Sequence, residues 1–391
     1  MLELSDVQKS IIETVRDLVE KEVIPIAEEL EHKDEFPEKI VEQMKEIGLF
    51  GLTVPEDYGG IGEDLVTYAL TVVELARGWM SLSGVLNTHF MGCYLINKFG
   101  TDEQRRRYLP IMATGEWRAA LAMSEPEAGS DVQGIKTKAI KDGDDYVVNG
   151  QKMWLTNGLR SSLVMTLVKT DPDADPPHKG MSMLIVEKEG GNPKPAPGLD
   201  VGKNIEKMGY KGVETTEMTF SDYRIPQDRL LGTEEGEGFR QVLDGIEIGR
   251  VNVAARAVGV ATRAFEEAIK YAQQRKAFGK AIAEHQAIQI HLAEMGTTLE
   301  AAKLMLYSAA QKKVAGERSD LEASMAKLFA SEACHEIVTK SLRVHGGYGY
   351  SKEFTIERLY RDAPFLLIGE GTSEIQKTVI ARRLLENYKL K

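Results

Sequence analysis

The chain has 391 residues, which is enough for two or three packed units with hydrophobic cores of their own. Hydrophobic residues make up 42% of it, as in ordinary globular proteins, and its formal net charge of −11 argues against a general nucleic-acid binder. We find no apolar run that could span a membrane, and no signal-peptide pattern in MLELSDVQKS. Because Cys93 and Cys334 are too few for a disulfide framework or a zinc site, we expect no metal and a cytoplasmic location.

Residues 1–118 are predicted to form an N-terminal helical domain. Ser5 and Gln8 fit a capping box, and apolar residues follow them at helical spacing. The weakly polar stretch 65–99 is typical of buried helices. The glycine-rich segment 55–62, PEDYGGIG, is not a dinucleotide fingerprint, because no strand precedes it.

Residues 119–228 are predicted to form a middle antiparallel β domain, either a sandwich or a barrel. Asn149-Gly150 lies between two apolar runs and predicts a β-hairpin. Further strand-like runs are 162–168, 181–186 and 214–220. They are separated by polar, turn-forming segments.

Residues 229–391 are predicted to be helical again. Apolar residues three and four apart form one buried stripe, which predicts a helical bundle; they are Leu292, Met295, Leu299, Ala302 and Leu306. The fold class is therefore α+β with several domains, in the order helical, β, helical.

Two segments of the middle domain suit a flat, polar ligand. The loop 121–132, LAMSEPEAGSDV, presents hydroxyls and free backbone N–H groups that can bind a ring carbonyl or a phosphate; it can equally be a polar turn. Trp154 and Thr156 are two apart, so on a strand they face one side. That pair suits a heterocycle such as a flavin, or an ordinary strand face packed on a core.

Two segments of the C-terminal domain are basic or glycine-rich. The turn 274–280, QRKAFGK, can bind an anion such as a pyrophosphate or simply be solvated. In 343–350, RVHGGYGY, the paired glycines allow close approach of a ligand. No cluster of Cys or carboxylate residues accompanies His345, so it is not interpreted as a metal ligand.

Glu370 lies between two glycines in the segment 368–377, IGEGTSEIQK. Glycines on both sides permit a sharp turn, and a lone carboxylate beside a helix N-terminus is suited to act as a general base. The alternative is an acidic surface turn that caps a helix.

Taken together and in order, these segments resemble the acyl-CoA dehydrogenase family over essentially the whole chain. The motifs that carry the resemblance are AMSEPEAGSDV, NGQKMWLTNG, QRKAFGK, HGGYGY and GEGTSEIQ. The resemblance implies a helical N-terminal domain, a middle β domain and a C-terminal four-helix bundle, with FAD between the last two. It also implies a homotetramer that converts an acyl-CoA to its trans-2-enoyl-CoA and passes electrons to an electron-transfer flavoprotein.

Carried over by motif, the resemblance makes Glu370 the catalytic base. The cofactor-binding positions it implies are Leu121, Met123, Ser124, Gly129, Ser130, Trp154, Thr156, Arg275, Phe278, His285, Arg343, Gly346, Gly347, Thr372 and Glu374, and Arg275, Phe278 and the segment 343–347 would contact FAD of a neighbouring subunit. The substrate-binding positions it implies are Ser130, Glu247, Arg250 and Gly371.

The chain departs from the family pattern before its base. Gly369 stands where straight-chain members often have Tyr, which suggests room for a branched acyl group. Arg343 and Glu374 each replace a frequent Gln. In one branch the base lies on a helix beside the arginine that matches Arg250, and here that position is Gly249. An acyl-CoA oxidase and a non-catalytic flavoprotein of the same fold are the alternatives.

Overall fold

The computed structural model describes residues 4–389, and its N-terminal part is helical. Ser5 and Gln8 form the predicted capping box of the first helix. A π-helical turn, Val19–Val23, joins the first helix to the second. The helices are α1 (Asp6–Leu18), α2 (Ile24–Lys33), α3 (Glu38–Glu46), α4 (Leu65–Gly78), α5 (Met80–Phe99) and α6 (Asp102–Ala113). Almost every residue of α4 and α5 is buried, as the weakly polar stretch predicts.

The middle part is one connected sheet of seven strands in the order β1-β4-β2-β3-β7-β6, with β5 paired to β4 outside this path. The strands are β1 (Ala119–Ala122), β2 (Lys138–Asp142), β3 (Asp145–Thr156), β4 (Leu163–Lys169), β5 (Met181–Glu187), β6 (Leu199–Val201) and β7 (Thr215–Pro226). The sheet is mixed rather than wholly antiparallel, because β1 and β2 both run parallel to β4. Residue periodicity predicts which side chains of a strand face the core, but not whether the strand runs parallel or antiparallel to its neighbour.

The hairpin predicted at Asn149-Gly150 is wrong. Strand β3 continues through this dipeptide, and the chain reverses earlier, around Gly143, between β2 and β3. Asn149 exchanges hydrogen bonds with Asp222 of β7, and the register between β3 and β7 shifts at Gly150. Because β3 has a partner strand on both sides, the dipeptide forms a bulge within the sheet instead of a turn.

The C-terminal part contains five helices within residues 4–389. They are α7 (Gly238–Gln274), α8 (Gln286–Val314), α9 (Asp320–His345), α10 (Thr355–Ile368) and α11 (Ser373–Asn387), with a small hairpin of β8 (Lys276–Ala277) and β9 (Lys280–Ala281) after α7. Helix α9 packs against the other four. Of the predicted stripe on α8, four residues are buried and Leu292 is partly buried against the same core.

One hydrophobic core joins the two helical parts. It includes residues of α1, α4, α5, α7, α9 and α10, and also Tyr210 and Val213 from the loop before β7. Within residues 4–389, no helix combines the length and apolar character that crossing a membrane requires. The two helical parts and the loop before β7 therefore meet in this core.

Candidate active site

Glu370 lies on the short turn between α10 and α11. The turn is left-handed, with φ of 54° at Glu370 and 90° at Gly371. A left-handed conformation at a residue with a side chain costs about 1–3 kcal/mol and has to be held by its surroundings. Gln376, buried in α11, holds it by donating from Nε2 to the carbonyl oxygens of Glu370 (3.3 Å) and Gly371 (3.0 Å). Sequence analysis did not select Gln376.

The Glu370 carboxylate points into the protein between α5 and α7. Its Oε1 accepts a hydrogen bond from Asn87 Nδ2 at 2.6 Å, whereas its Oε2 is buried without a hydrogen-bond partner among the described residues. Oε2 lies against Gly249 so closely that a Cβ there would be 1.7 Å away. The glycine that replaces a helix-borne base therefore makes the space that the Glu370 carboxylate occupies.

Burial raises the pKa of Glu370, and nearby donors and cations oppose this shift only in part. The charge of Arg256 on α7 lowers this pKa most, followed by the Asn87 hydrogen bond and then by the charges of Lys327 on α9 and Arg250. A carboxylate that loses water in this way is a stronger base toward a weak carbon acid than a solvated one.

Two buried cations flank the base. Arg256 donates to the Tyr210 hydroxyl at 3.2 Å and to the Ser83 carbonyl at 3.5 Å, and its guanidinium lies 5.4 Å from the Tyr210 ring centroid. Lys327 lies 3.4 Å from the Leu367 carbonyl oxygen, and burial lowers its pKa to about 8. Arg256 lies in residues 248–261 of α7, all of which are buried, and Lys327 is a buried residue of α9. Charged side chains normally predict solvated positions, so neither residue was expected at the site.

The space beside Gly369 is filled. A Cβ at Gly369 would lie 2.8 Å from the Phe365 ring, which in turn stacks on Tyr210 with centroids 4.5 Å apart. The hypothesis that Gly369 leaves room for a branched acyl group is therefore not supported, because an aromatic ring from the preceding turn of α10 takes that room.

The loop 121–132 is fixed against β3 by a buried ion pair. Glu125 accepts from Lys152 Nζ at 2.8 Å, and from the backbone N–H groups of Lys136 (2.6 Å) and Thr137 (3.0 Å). The Ser124 carbonyl accepts from Met153 N at 2.9 Å. Leu121, Met123 and Ser124 are half-buried, whereas Gly129 and Ser130 are exposed.

Trp154 and Thr156 lie where β3 departs from regular geometry. The register shifts between Lys152 and Leu155, and Trp154 has φ of 66°. Leu155 packs into the sheet core, while Trp154 is 58% exposed and Thr156 is half-buried. An exposed tryptophan on strained backbone, next to the strand residue Lys152 that fixes the loop 121–132, is a suitable platform for a flat ring.

A second group of predicted cofactor residues lies elsewhere on the molecule. The Arg275 guanidinium stands 5.6 Å from the ring centroid of Tyr348, in the turn Gly346–Tyr350, so Arg275 and the segment after Arg343 are brought together. Phe278 is 96% exposed at φ of 54°, with its ring edge-on to His285. Added Cβ atoms at Gly346 and Gly347 would meet nothing within 4 Å.

This second group is remote from the base on one chain. Arg275 follows Gly249 by 26 residues of a continuous helix, which corresponds to roughly 39 Å. A ligand that contacted both the Glu370 carboxylate and Arg275 of one chain would therefore have to span about this length.

The remaining predicted positions have partners of their own. Glu247 Oε1 accepts from Lys313 Nζ at 2.9 Å and Ser319 Oγ at 2.7 Å. Arg250 is buried and donates to Ser324 Oγ at 3.3 Å. Thr372 caps α11 by accepting from Ile375 N, as predicted for the helix start, and Glu374 is exposed in its first turn.

These features fit a flavin. The loop 121–132 and Trp154 offer donors and an aromatic face, and the open glycines 346 and 347 let backbone approach a phosphate-bearing ligand. Three parts in the order helical, β, helical, with a buried carboxylate between the helices, are compatible with a three-domain flavin-dependent oxidoreductase. Comparison with known proteins specifies the family. The N-terminal, middle and C-terminal acyl-CoA dehydrogenase domain models match residues 5–116, 120–223 and 236–385. The chain belongs to the acyl-CoA dehydrogenase family, whose members use FAD.

Individual relatives agree with this assignment over their full length. An acyl-CoA dehydrogenase of Bacillus subtilis is 41% identical over 95% of this chain and 96% of its own. The caffeyl-CoA reductase-Etf complex subunit CarC of Acetobacterium woodii is 40% identical over 98% of this chain and 99% of its own. The structure of butyryl-CoA dehydrogenase from Megasphaera elsdenii superposes with a TM-score of 0.94 at 34% identity, covering 98% of this chain and all of that one.

Proposed function

We propose that this protein dehydrogenates an acyl-CoA thioester between Cα and Cβ to give the trans-2-enoyl-CoA, with Glu370 as the base that removes the α proton. The observation that carries the proposal is the Glu370 carboxylate itself, buried between α5 and α7 with one oxygen unpartnered. That unpartnered oxygen is available to take a proton. FAD, when bound, accepts the hydride that leaves Cβ.

The chain's own residues make Glu370 a stronger base, exclude water from the site and position the thioester. Burial disfavours the charged carboxylate and so raises its affinity for a proton, while Arg256, Lys327 and Arg250 keep enough of it ionised to act. Packing of Phe365 and Tyr210 beside the turn excludes water. The backbone N–H of Glu370, on its left-handed turn, is the proposed donor to the thioester carbonyl, and it would stabilise the enolate as the proton leaves.

For the cofactor, we propose two binding groups. Leu121, Met123, Ser124, Gly129, Ser130, Trp154 and Thr156 hold the ring, with Thr372 and Glu374 near the rest of the molecule. Arg275, Phe278, His285, Arg343, Gly346 and Gly347 contact FAD of a neighbouring subunit. The length of α7 between Gly249, which contacts the Glu370 carboxylate, and Arg275 supports this division, as does the exposed ring of Phe278. Ser130, Glu247, Arg250 and Gly371 are proposed substrate contacts.

The proposed setting is a cytoplasmic homotetramer with residues 1–118, 119–228 and 229–391 as domains. An electron-transfer flavoprotein is the proposed electron acceptor, supported by a relative that is named as part of a reductase-Etf complex. That relative's name also raises the reverse reaction, reduction of an enoyl-CoA, for which the same groups would serve with the proton delivered by Glu370.

The test is anaerobic bleaching of flavin absorbance by a panel of acyl-CoAs, from butyryl to palmitoyl with branched members included. We expect bleaching by at least one, and E370Q should keep its flavin but bleach slower by about 10²–10⁴-fold or more. Retained bleaching in E370Q would refute the base assignment. Rapid reoxidation by O2 would favour the oxidase, and FAD bound without bleaching by any acyl-CoA would favour a non-catalytic flavoprotein.

A further inference from the structure

Asn87 is a buried residue of α5 whose side-chain amide contacts the proposed base. Its Nδ2 donates to Glu370 Oε1 at 2.6 Å, and its own Oδ1 has no hydrogen-bond partner among the described residues. Glu370 Oε2 is likewise unpartnered and lies against Gly249. Asn87 therefore supplies the one hydrogen bond that the carboxylate receives within the described part of the chain.

The segment of α5 that carries Asn87 is itself tied to the end of β3. Asn157 Nδ2 lies within hydrogen-bonding distance of the carbonyls of Gly84 (3.2 Å) and Val85 (3.3 Å) and of Thr88 Oγ1 (2.7 Å). Asn157 directly follows Thr156, a proposed cofactor contact. One turn of α5 thus connects the strand end that carries Thr156 to the carboxylate of Glu370.

We propose that Asn87 is a positioning residue for the dehydrogenation: it holds the Glu370 carboxylate in one orientation between α5 and α7 and favours its ionised form. In this way α5 sets the place of the base relative to the strand end at Thr156. The inference rests on the proposed function, because it takes Glu370 as the base.

The other groups that face the carboxylate are charged or phenolic. They are Tyr68 of α4, Arg250 and Arg256 of α7, Lys327 of α9 and Tyr210 of the loop before β7. Asn87 differs from them because it is neutral and in direct contact. Its replacement by an apolar residue removes a hydrogen bond to the ionised form without changing the charge of the site, so the pKa of Glu370 should rise further.

The experiment compares N87L with Q241M in the FAD-loaded enzyme. Leucine is close in size to asparagine and cannot donate. Gln241 is a matched control, because it is buried, makes one donor bond to the Leu231 carbonyl and has an unpartnered Oε1, but lies in the first turn of α7 away from the base. The measured quantity is the rate of flavin reduction by an acyl-CoA, in stopped flow, as a function of pH.

For N87L we expect the rising limb of the pH–rate profile to move up by about one to two pH units, as the strength of a hydrogen bond to a charged group implies. Above that limb the rate should recover to within about tenfold of the parent enzyme. Q241M should lose stability but keep the limb where it is. An unmoved limb in N87L, or an equal shift in both variants, would overturn the positioning role.

A second measurement does not depend on turnover. The Tm of the parent, N87L, E370Q and the double variant is followed against pH. A carboxyl with a raised pKa loses its contribution to stability as pH rises through that pKa, so the Tm deficit of N87L should grow with pH in the parent background and stay constant in the E370Q background. A constant deficit in both would contradict the contact. If the Tm values show the coupling but the kinetic limb does not move, the contact exists and the positioning role of Asn87 in the reaction is overturned. If E370Q also retains its turnover, the assignment of Glu370 as the base is what has failed.

Discussion

The absence of a side chain at Gly249 determines where the Glu370 carboxylate can lie. Gly249 is in the middle of a long helix, where glycine is disfavoured by about 1 kcal/mol relative to alanine, yet its Cα forms the wall against Glu370 Oε2. The helix gives up some stability at this position, and the carboxylate of a residue 121 positions later in the chain occupies the space.

Replacing Gly249 with Ala should therefore separate stability from activity. A Cβ 1.7 Å from Oε2 forces the carboxylate to move, and a misplacement of about 1 Å costs on the order of 10²-fold in rate. Gly296→Ala on α8 is the control, since a Cβ there makes only ordinary contacts with Phe265 and should raise stability by about 1 kcal/mol without loss of activity. Flavin reduction rates and denaturant unfolding measure the two effects; a fully active G249A would contradict the packing.

At the scale of elements, the loop 121–132 depends on an ion pair within the sheet. Lys152 is completely buried, and burial lowers its pKa to about 8 while Glu125 opposes the shift. Burial would raise the pKa of Glu125, but Lys152 and the donors of Thr137 and Lys136 keep it below its usual value. Both groups are thus charged near neutral pH, and the pair holds the proposed flavin-binding loop to β3.

The Lys152→Met substitution should lower the free energy of unfolding by about 3–5 kcal/mol, because it leaves the charge of Glu125 buried without its partner. The loosened loop should also retain less FAD after dialysis. Lys136→Met, just after this loop, is the control: the Lys136 and Glu127 side chains of its ion pair are each 75% exposed, so the free energy of unfolding should change by less than about 0.5 kcal/mol. Equal stability and flavin content in the two variants would remove the role given to the buried pair.

At the scale of the whole molecule, charged residues of α10 join the N-terminal helices to the loop before β7. Arg358 pairs with Glu28, and Arg361 pairs with the buried Glu31, both on α2. Asp362, also buried, accepts a hydrogen bond from Tyr210 N at 2.6 Å. Tyr210 in turn reaches Arg256 near the base, so this network connects the surface of α2 to the site.

Asp362 should make the protein less stable as pH rises through neutrality. Burial, with help from Glu31, raises its pKa to about 7, so its contribution is complete below the ordinary carboxyl pKa and is lost as pH passes about 7. Asp362→Asn keeps an oxygen for Tyr210 N, and its Tm should vary less over this range than that of the parent.

Asp320→Asn is the control, because the contribution of Asp320 to stability should depend on pH in the opposite direction to that of Asp362. Burial would raise the pKa of Asp320, but Arg383 and Arg318 hold it below its usual value. Its stabilisation is present above the ordinary carboxyl pKa and is lost at acid pH, so D320N should be less stable than the parent at neutral pH, with the difference shrinking in acid. Parallel Tm–pH curves for D362N and the parent would refute the account of Asp362.

Local pattern was sufficient for the order of helices and strands, because periodicity is a property of short segments. It left Glu370 as either a base or a surface turn, and the base assignment, which stays a prediction, came from the resemblance of the whole chain. Local pattern was not sufficient for the parallel pairing of β1 with β4, nor for the bulge at Asn149-Gly150, since both depend on which strands become neighbours. The role of Asn87 could not be predicted from the sequence around it. It depends on the contact with Glu370, which is 283 residues away in the chain.

That separation has a consequence for how the enzyme is made. Helices α1 to α10 and the whole sheet precede Glu370 in the chain, so a nascent or truncated chain that ends short of the α10–α11 turn already contains Trp154 and the loop 121–132 but lacks the proposed base. The hydrogen bond between Asn87 and Glu370 becomes possible only after a further 283 residues have been added to the chain. With Glu370 as the proposed base, a chain that has bound its flavin ring early still gains activity only once the α10–α11 turn has been made.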